Sequence, residues 1–207
     1  MPVTINGNGS ITGLSVGGLG SGVVNTATLA SNAITSAIQP AGSVIQVVNT
    51  NLTGTDSVSV PNGSLVDTPV TVNITSTIAN SKFIIAGAIN GEANQADHVL
   101  GIVMRRVIGG SGTSINIGNA AGSRTPITAM HQQGLHSSDN VSTPSTNSLA
   151  AYVDSPGQPA GTTITYKYAL IGIAYAFTYY FGRSAGDTDG SGYERMPNHI
   201  TVMEVAP

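Results

Sequence analysis

The stretch YKYALIGIAYAFTYYF, residues 166–181, decides what kind of fold this chain can adopt. Its residues are largely aromatic or β-branched, the types that suit a pleated strand. Its longest apolar run, Tyr168 to Phe177, is about half the length of a membrane-spanning helix, so it reads as buried strand and not as a span. Two strands are expected here, Thr162–Ile171 and Ala174–Phe181. If the alternation ran unbroken, Tyr166, Tyr168 and Tyr180 would share one face, and Tyr175, Phe177 and Tyr179 the other. Core or inter-subunit packing is the expected role for most of these rings. Tyr152 and Tyr193, which sit beside loops, are the tyrosines expected to meet a ligand.

The same pattern extends outward on both sides. Ser43–Val48, Ser57–Val60, Pro69–Thr75, Lys82–Ile89, Val99–Ile108, Ser114–Ile117, Leu149–Val153 and Ile200–Val205 alternate or are β-branched, with a further short strand within Thr125–Met130. Turn clusters separate them: TGTD, PNGS, NGEANQAD, GGSGT, SPGQPAG and GDTDGSG. Short strands at near-regular spacing with Gly/Pro turns predict an antiparallel β-sandwich, jelly-roll-like, over residues 41–207. Residues 119–147 form the longest stretch of weak periodicity, and long loops on a rigid scaffold tend to carry recognition.

Upstream the character changes. Residues 1–22 are Gly-rich, with Ile5, Ile11, Leu14, Val16 and Leu19 scattered among glycines. Such a segment cannot bury enough apolar surface to offset its ordering entropy, so it needs sister chains or a docking partner. In residues 23–38, Val23, Ala27, Ala30, Ile34 and Ala37 are spaced 4, 3, 4, 3, a heptad seam for a short helix that Pro40 ends. Two packings suit it: a parallel trimeric bundle, or a helix lying on the C-terminal domain. The bundle also explains how the glycine segment is held. The expected organisation is thus a mainly β protein, with a Gly-rich attachment segment and short trimerising helix over 1–40 and the sandwich over 41–207.

Composition bounds the function. Only 8% of the 207 residues are charged and the net charge is −3, so Ser, Thr, Asn and Gly solvate the surface, as in many extracellular and virion β-proteins. Arg105–Arg106 is the only adjacent basic pair, too little to neutralise a run of phosphates, so nucleic acid is not an expected partner. Cysteine is absent, which removes disulfides and thiolate-held metals. MPVTINGNGS has neither a basic n-region nor an apolar h-region. The expectation is synthesis in a cytoplasm without a signal peptide, and no membrane insertion.

Few clusters carry chemistry. GDTDGSGYE offers Asp187, Asp189 and Glu194, spaced carboxylates that could chelate calcium but lack the full EF-hand ligand set; a solvated hairpin turn is the plainer reading. His131 and His136 lie five apart in HQQGLH, and a zinc site would need a third ligand such as Asp139; a polar loop is the plainer reading here too. No Ser/His/acid arrangement is marked, and no cleft signature accompanies Asp187 and Asp189 as a glycosidase pair. No metal, cofactor or catalytic residue is therefore expected. The best ligand-contact candidates are His131, Gln132, Gln133, His136, Asp139, Asn140 and Tyr193, short donors and acceptors suited to hydroxyl-rich ligands.

A resemblance then comes into view. TINGNGSITGL (4–14), GVVNTATLASNAITSAI (22–38) and GSVIQVV (42–48) resemble the N-terminal halves of tail-fibre proteins of tailed bacteriophages. SLVDTPVTVNIT (64–75), NSKFIIAGAI (80–89), YVDSPGQPAGTTITYKYAL (152–170) and MPNHITVMEV (196–205) resemble a β-domain of tail fibres from marine and cyanobacterial phages, whose chains often close on a similar phrase. The likeness is one of phrases, spread over most of the chain. It implies a homotrimer in the virion, docked on other tail or baseplate proteins through residues 1–40 and attaching to a host-surface glycan or protein. The alternatives are a purely structural baseplate, fibre-connecting or capsid-decoration protein and, more distantly, a glycan depolymerase.

Overall fold

In the computed structural model the described residues are 4–5, 11–12, 39–94, 100–131 and 144–207. The chain divides into two units, Met1–Ile38 and Gln39–Pro207. In the first, β1 (Thr4–Ile5) and β2 (Ile11–Thr12) pair antiparallel, with Thr4 opposite Thr12. The helix expected over 23–38, with its seam of Val23, Ala27, Ala30, Ile34 and Ala37, lies outside the described residues.

The second unit is built from strands, and no helix occurs among its described residues. In chain order they are β3 (Val44–Leu52), β4 (Asp56–Val60), β5 (Leu65–Thr75), β6 (Lys82–Ala93), β7 (Leu100–Ile108) and β8 (Ser111–Ile115). There follow β9 (Ala129–Met130), β10 (Ser145–Asp154), β11 (Thr163–Gly172), β12 (Phe177–Phe181) and β13 (Asn198–Val205). They form two antiparallel sheets. In the first, β6 is central. One of its edges carries β10; the other carries β13 along Lys82–Ala88 and β12 along Gly91–Ala93. β3 continues the sheet beyond β13, and β4 continues it beyond β12. In the second sheet β11 lies between β5 and β7, and β7 carries β8 and β9 on its far edge.

Alternation explains the core. Every second residue of each strand points inward, and the inward set is Val70, Val72 and Ile74 of β5, Ile164, Tyr166, Tyr168 and Leu170 of β11, and Ile102 and Met104 of β7. Facing them from the other sheet are Phe83, Ile85 and Ile89 of β6, Ile200 and Val202 of β13, and Phe177, Tyr179 and Phe181 of β12. The Phe83 and Tyr166 rings meet across the interface with centroids 5.8 Å apart. The two-sheet, mainly β architecture expected from the strand pattern is therefore what the chain adopts.

Two local readings need correction. The first is the conditional one, an alternation carried unbroken through 166–181, because the stretch divides into the two strands expected there. It breaks after Gly172, where an added Cβ would lie 2.6 Å from the Tyr175 carbonyl oxygen, so the chain turns tightly there. β11 and β12 then belong to opposite sheets. Tyr166 and Tyr168 therefore face Tyr179 across one core instead of lying back to back, while Tyr175 in the turn is 62% exposed. The second correction concerns NGEA, expected to be a turn, which is the end of β6. The Asn90 amide donates to Asn198 Oδ1 at 2.7 Å, and Gly91, at φ +152°, lets the strand change neighbours from β13 to β12.

Candidate functional site

The expected recognition loop has one described member among its site residues. His131 follows β9 and is 8% exposed. Asn147 of β10 lies 2.6 Å from its Nδ1, Ser145 Oγ is 3.4 Å from its Nε2, and its ring meets Tyr179 edge-on at 5.1 Å. The hydroxyl of Tyr179 is buried there, and burial together with the Glu92 carboxylate raises its pKa above the ordinary phenol value. His131 is thus packed inside the fold, where sequence reasoning had put it on a surface loop. The signal available was its position just after AM, itself the remnant of the strand expected within 125–130. Gln132, Gln133, His136, Asp139 and Asn140 lie outside the described residues.

The carboxylate loop is organised by arginines. Asp187, in the left-handed region at φ +49°, is bracketed by Arg195 Nη2 at 2.5 Å and Arg183 Nε at 3.8 Å. The Arg183 guanidinium also lies 4.2 Å from the Tyr180 ring centroid. A cation paired in this way competes with a metal for the same oxygens, and Asp189 and Glu194 are exposed. Among the described residues no group of three His, Asp or Glu side chains is placed to hold a metal ion. Tyr193 is half-buried, with its backbone amide donating to the Gly190 carbonyl at 3.1 Å. Tyr152 is half-buried as well and packs against the core.

Sequence reasoning missed the most heavily bonded acids. Glu204 of β13 is fully buried and its carboxylate accepts from Ser81 Oγ (2.6 Å), Gln46 Nε2 (2.6 Å), the Thr77 amide (2.8 Å), Thr77 Oγ1 (2.9 Å) and the Ile78 amide (3.2 Å). Burial alone would raise its pKa, but the bonds from Ser81, Gln46 and Thr77 outweigh burial and hold it below its ordinary value. Asp154, at the end of β10, accepts both Arg106 Nη1 contacts (2.8 and 2.9 Å) and the Tyr166 hydroxyl (2.8 Å), so it staples one sheet to the other. On the outer face of the second sheet, Asp67 accepts from Lys167 at 2.9 Å and from Arg105. These acids hold structure.

No family model matches the chain, and no curated protein matches it. Among solved structures, the chain is similar to the infectious bursal disease virus VP2 subviral particle at 14% identity and a TM-score of 0.36, over 78% of this chain and 42% of that one. It is similar to the T=1 particles derived from infectious bursal virus at the same identity and TM-score, over 78% of this chain and 40% of that one. The chain thus spans about two fifths of the length of these structures, 40% and 42%. Likeness at this level is silent on function.

Proposed function

We propose that the chain is a non-enzymatic virion protein, a homotrimeric tail fibre of a tailed phage whose β-domain takes part in host attachment. One observation carries this reading: the phrases that resemble tail fibres are neighbours in space. GSVIQVV opens β3 and NSKFIIAGAI opens β6, and MPNHITVMEV becomes β13, which lies between them. SLVDTPVTVNIT is β5, paired with β11, which comes from YVDSPGQPAGTTITYKYAL. Four phrases meet at Glu204: Gln46 Nε2 bonds both Glu204 and the Thr75 carbonyl (2.7 Å), and Ser81 bonds the same carboxylate. This spatial grouping of the phrases supports the reading. Docking on tail or baseplate proteins through residues 1–40, and binding of a host glycan or protein by the β-domain, complete the proposal.

A purely structural role in the baseplate, between fibres or on the capsid is the second reading. It is favoured by the enclosure of His131 and the half-burial of Tyr193, the two described members of the expected receptor set. Imaging of virions labelled with an antibody against residues 41–207 separates the two. Label at the distal end of a tail appendage, with antibody fragments blocking adsorption, is the expected result. Label on the capsid or within the baseplate, with adsorption intact, would replace the first reading by the second. A depolymerase would release reducing ends from host polysaccharide, and Asp187→Ala or Asp189→Ala would abolish that release; none is expected.

A further inference from the structure

Strand register aligns an apolar row on the outer face of the first sheet. Met203 of β13 lies opposite Val47 of β3 on one side and Ile84 of β6 on the other, and Ile84 lies opposite Val153 of β10. The row Val47–Met203–Ile84–Val153 therefore crosses four strands. Their chain neighbours Val48, Val202, Phe83 and Tyr152 pack in or against the core, so these four side chains point outward. The two ends of the row are open, Val47 at 57% and Val153 at 54%, and the middle pair is half-buried. The next row is uncharged too: Asn49, Thr201 and Ala86 are in register, and the bulge between Leu149 and Tyr152 sets the exposed Ala150 and Ala151 beside them. Neither row contains Asp, Glu, Lys or Arg; Lys82 of β6 and His199 of β13 flank the pair of rows, one at each end. The outer face of the second sheet, by contrast, carries Lys167, Arg105 and Asp67. Single exposed valines are ordinary, but a contiguous apolar row marks a protein contact.

We infer that these two rows are the contact between copies of this chain, the β10 side of each copy meeting the β3 side of its neighbour around a three-fold axis. The inference rests on the trimer reading and gives it a surface. Two observations choose a second copy as the occupant. The first is charge. About a quarter of the residues in an average domain are charged, and a charge pressed onto these rows would lose water and gain no partner. The same rows on another copy bring none. The second is placement. A closed ring needs two different surfaces on each copy, one for each neighbour. The exposed valines stand at opposite sides of one face, on β3 and β10, and each of these strands has a single strand neighbour among the described residues. Around a three-fold axis Val47 of one copy comes against Val153 of the next, while Met203 and Ile84 look toward the axis. Residues 95–99 and 132–143 join β6 and β10 at the ends remote from Ile84 and Val153. Residues 1–38, which precede β3, are the rival occupant, and the experiment separates them.

The chain has no cysteine, so an introduced pair reports the contact cleanly. Strands about 4.8 Å apart put Val47 and Val153 about 14 Å apart within one chain, twice the roughly 7 Å between Cα atoms that a disulfide can span. In the full-length chain carrying Val47→Cys and Val153→Cys together, oxidised glutathione should therefore link different copies only. Covalent dimers and trimers on a non-reducing gel are expected, and none from either single variant. Val47→Asp with Val153→Asp brings like charges together at each contact. It should raise the concentration of half-assembly about tenfold or more, read by light scattering, with the circular dichroism spectrum unchanged. A wild type of trimer mass whose paired cysteines do not link removes this face and leaves the trimer reading. Full assembly of the acidic variant does the same, and makes residues 1–38 or another virion protein the cover. Links formed by a single-cysteine variant would show a two-fold contact and overturn the three-fold arrangement. A monomeric wild type at micromolar concentration ends both.

Discussion

Glu204 shows how much one side chain can hold in a chain with few charges. Its partners are neutral donors from two stretches of the chain: Gln46 of β3, and Thr77, Ile78 and Ser81 of the connection between β5 and β6. Glu204→Gln would turn an amide toward groups that all donate, so it should destabilise the fold by about 3 kcal/mol, read as a lower denaturant midpoint at unchanged slope. The pH dependence follows in sign. A carboxyl whose folded pKa lies below its unfolded value stabilises above the unfolded value, here near 4.5, and that contribution is lost as the pH falls through the depressed folded value. Asp67 is lowered in the same sense, with burial opposed by Lys167 and Arg105, but at 39% side-chain exposure solvent screens much of its effect. Stability should thus hold from neutral pH to about 5 and fall below about 4.5; Glu204→Gln should flatten that fall, and an equally steep acid transition in the variant would disprove the assignment. Nothing in the spacing of MPNHITVMEV marks its glutamate as the point where β13 meets β3 and the connection between β5 and β6. Such a role depends on tertiary neighbours far away in sequence, and so it was not legible there.

Among the elements, β6 is the most constrained, because neighbours crowd it from two edges and from the opposite sheet. A Cβ on Gly87 would collide with the His199 carbonyl of β13 and come within 2.9 Å of the Tyr168 hydroxyl. Gly87→Ala should therefore cost about 2–3 kcal/mol, the range for overpacking against backbone, measured by thermal melting. The Asp154 staple predicts a second effect at this scale. Asp154→Ala would strand the Arg106 guanidinium and the Tyr166 hydroxyl, at a cost of about 3–5 kcal/mol. Arg106→Met in the same background should recover part of that loss, and no recovery in the double variant would show that the two residues do not act as a pair. The strands themselves were largely legible. Period-two alternation located every expected strand, to within a few residues for most, because burial on one face writes itself into composition. The break near Gly172 was read as well; the NGEA segment misled, because the positive φ of Gly91 that carries β6 through it is set by tertiary contact.

For the whole molecule, fold class was legible and a binding site was not, since loop residues carry no periodic pattern to read. Two predictions test its organisation. Light scattering on the purified chain should give about three times the 20.9 kDa chain mass; a stable monomer at micromolar concentration would end the trimer proposal. Deleting residues 1–40 should leave cooperative melting intact while weakening assembly, because the residues that remain are enough to bury about 70% of their unfolded surface; loss of cooperativity would place the boundary elsewhere. The position of β13 between β3 and β6 also governs how the protein is made. β6 ends at Ala93 and β13 begins at Asn198. A ribosome adding about 5–20 residues per second needs on the order of 5–20 s to cross that interval. Through that wait the two strands have no β13 between them, and the Glu204 knot cannot be tied. A message truncated a few codons before β13 should therefore yield a chain in which β3 and β6 lack the strand that joins them.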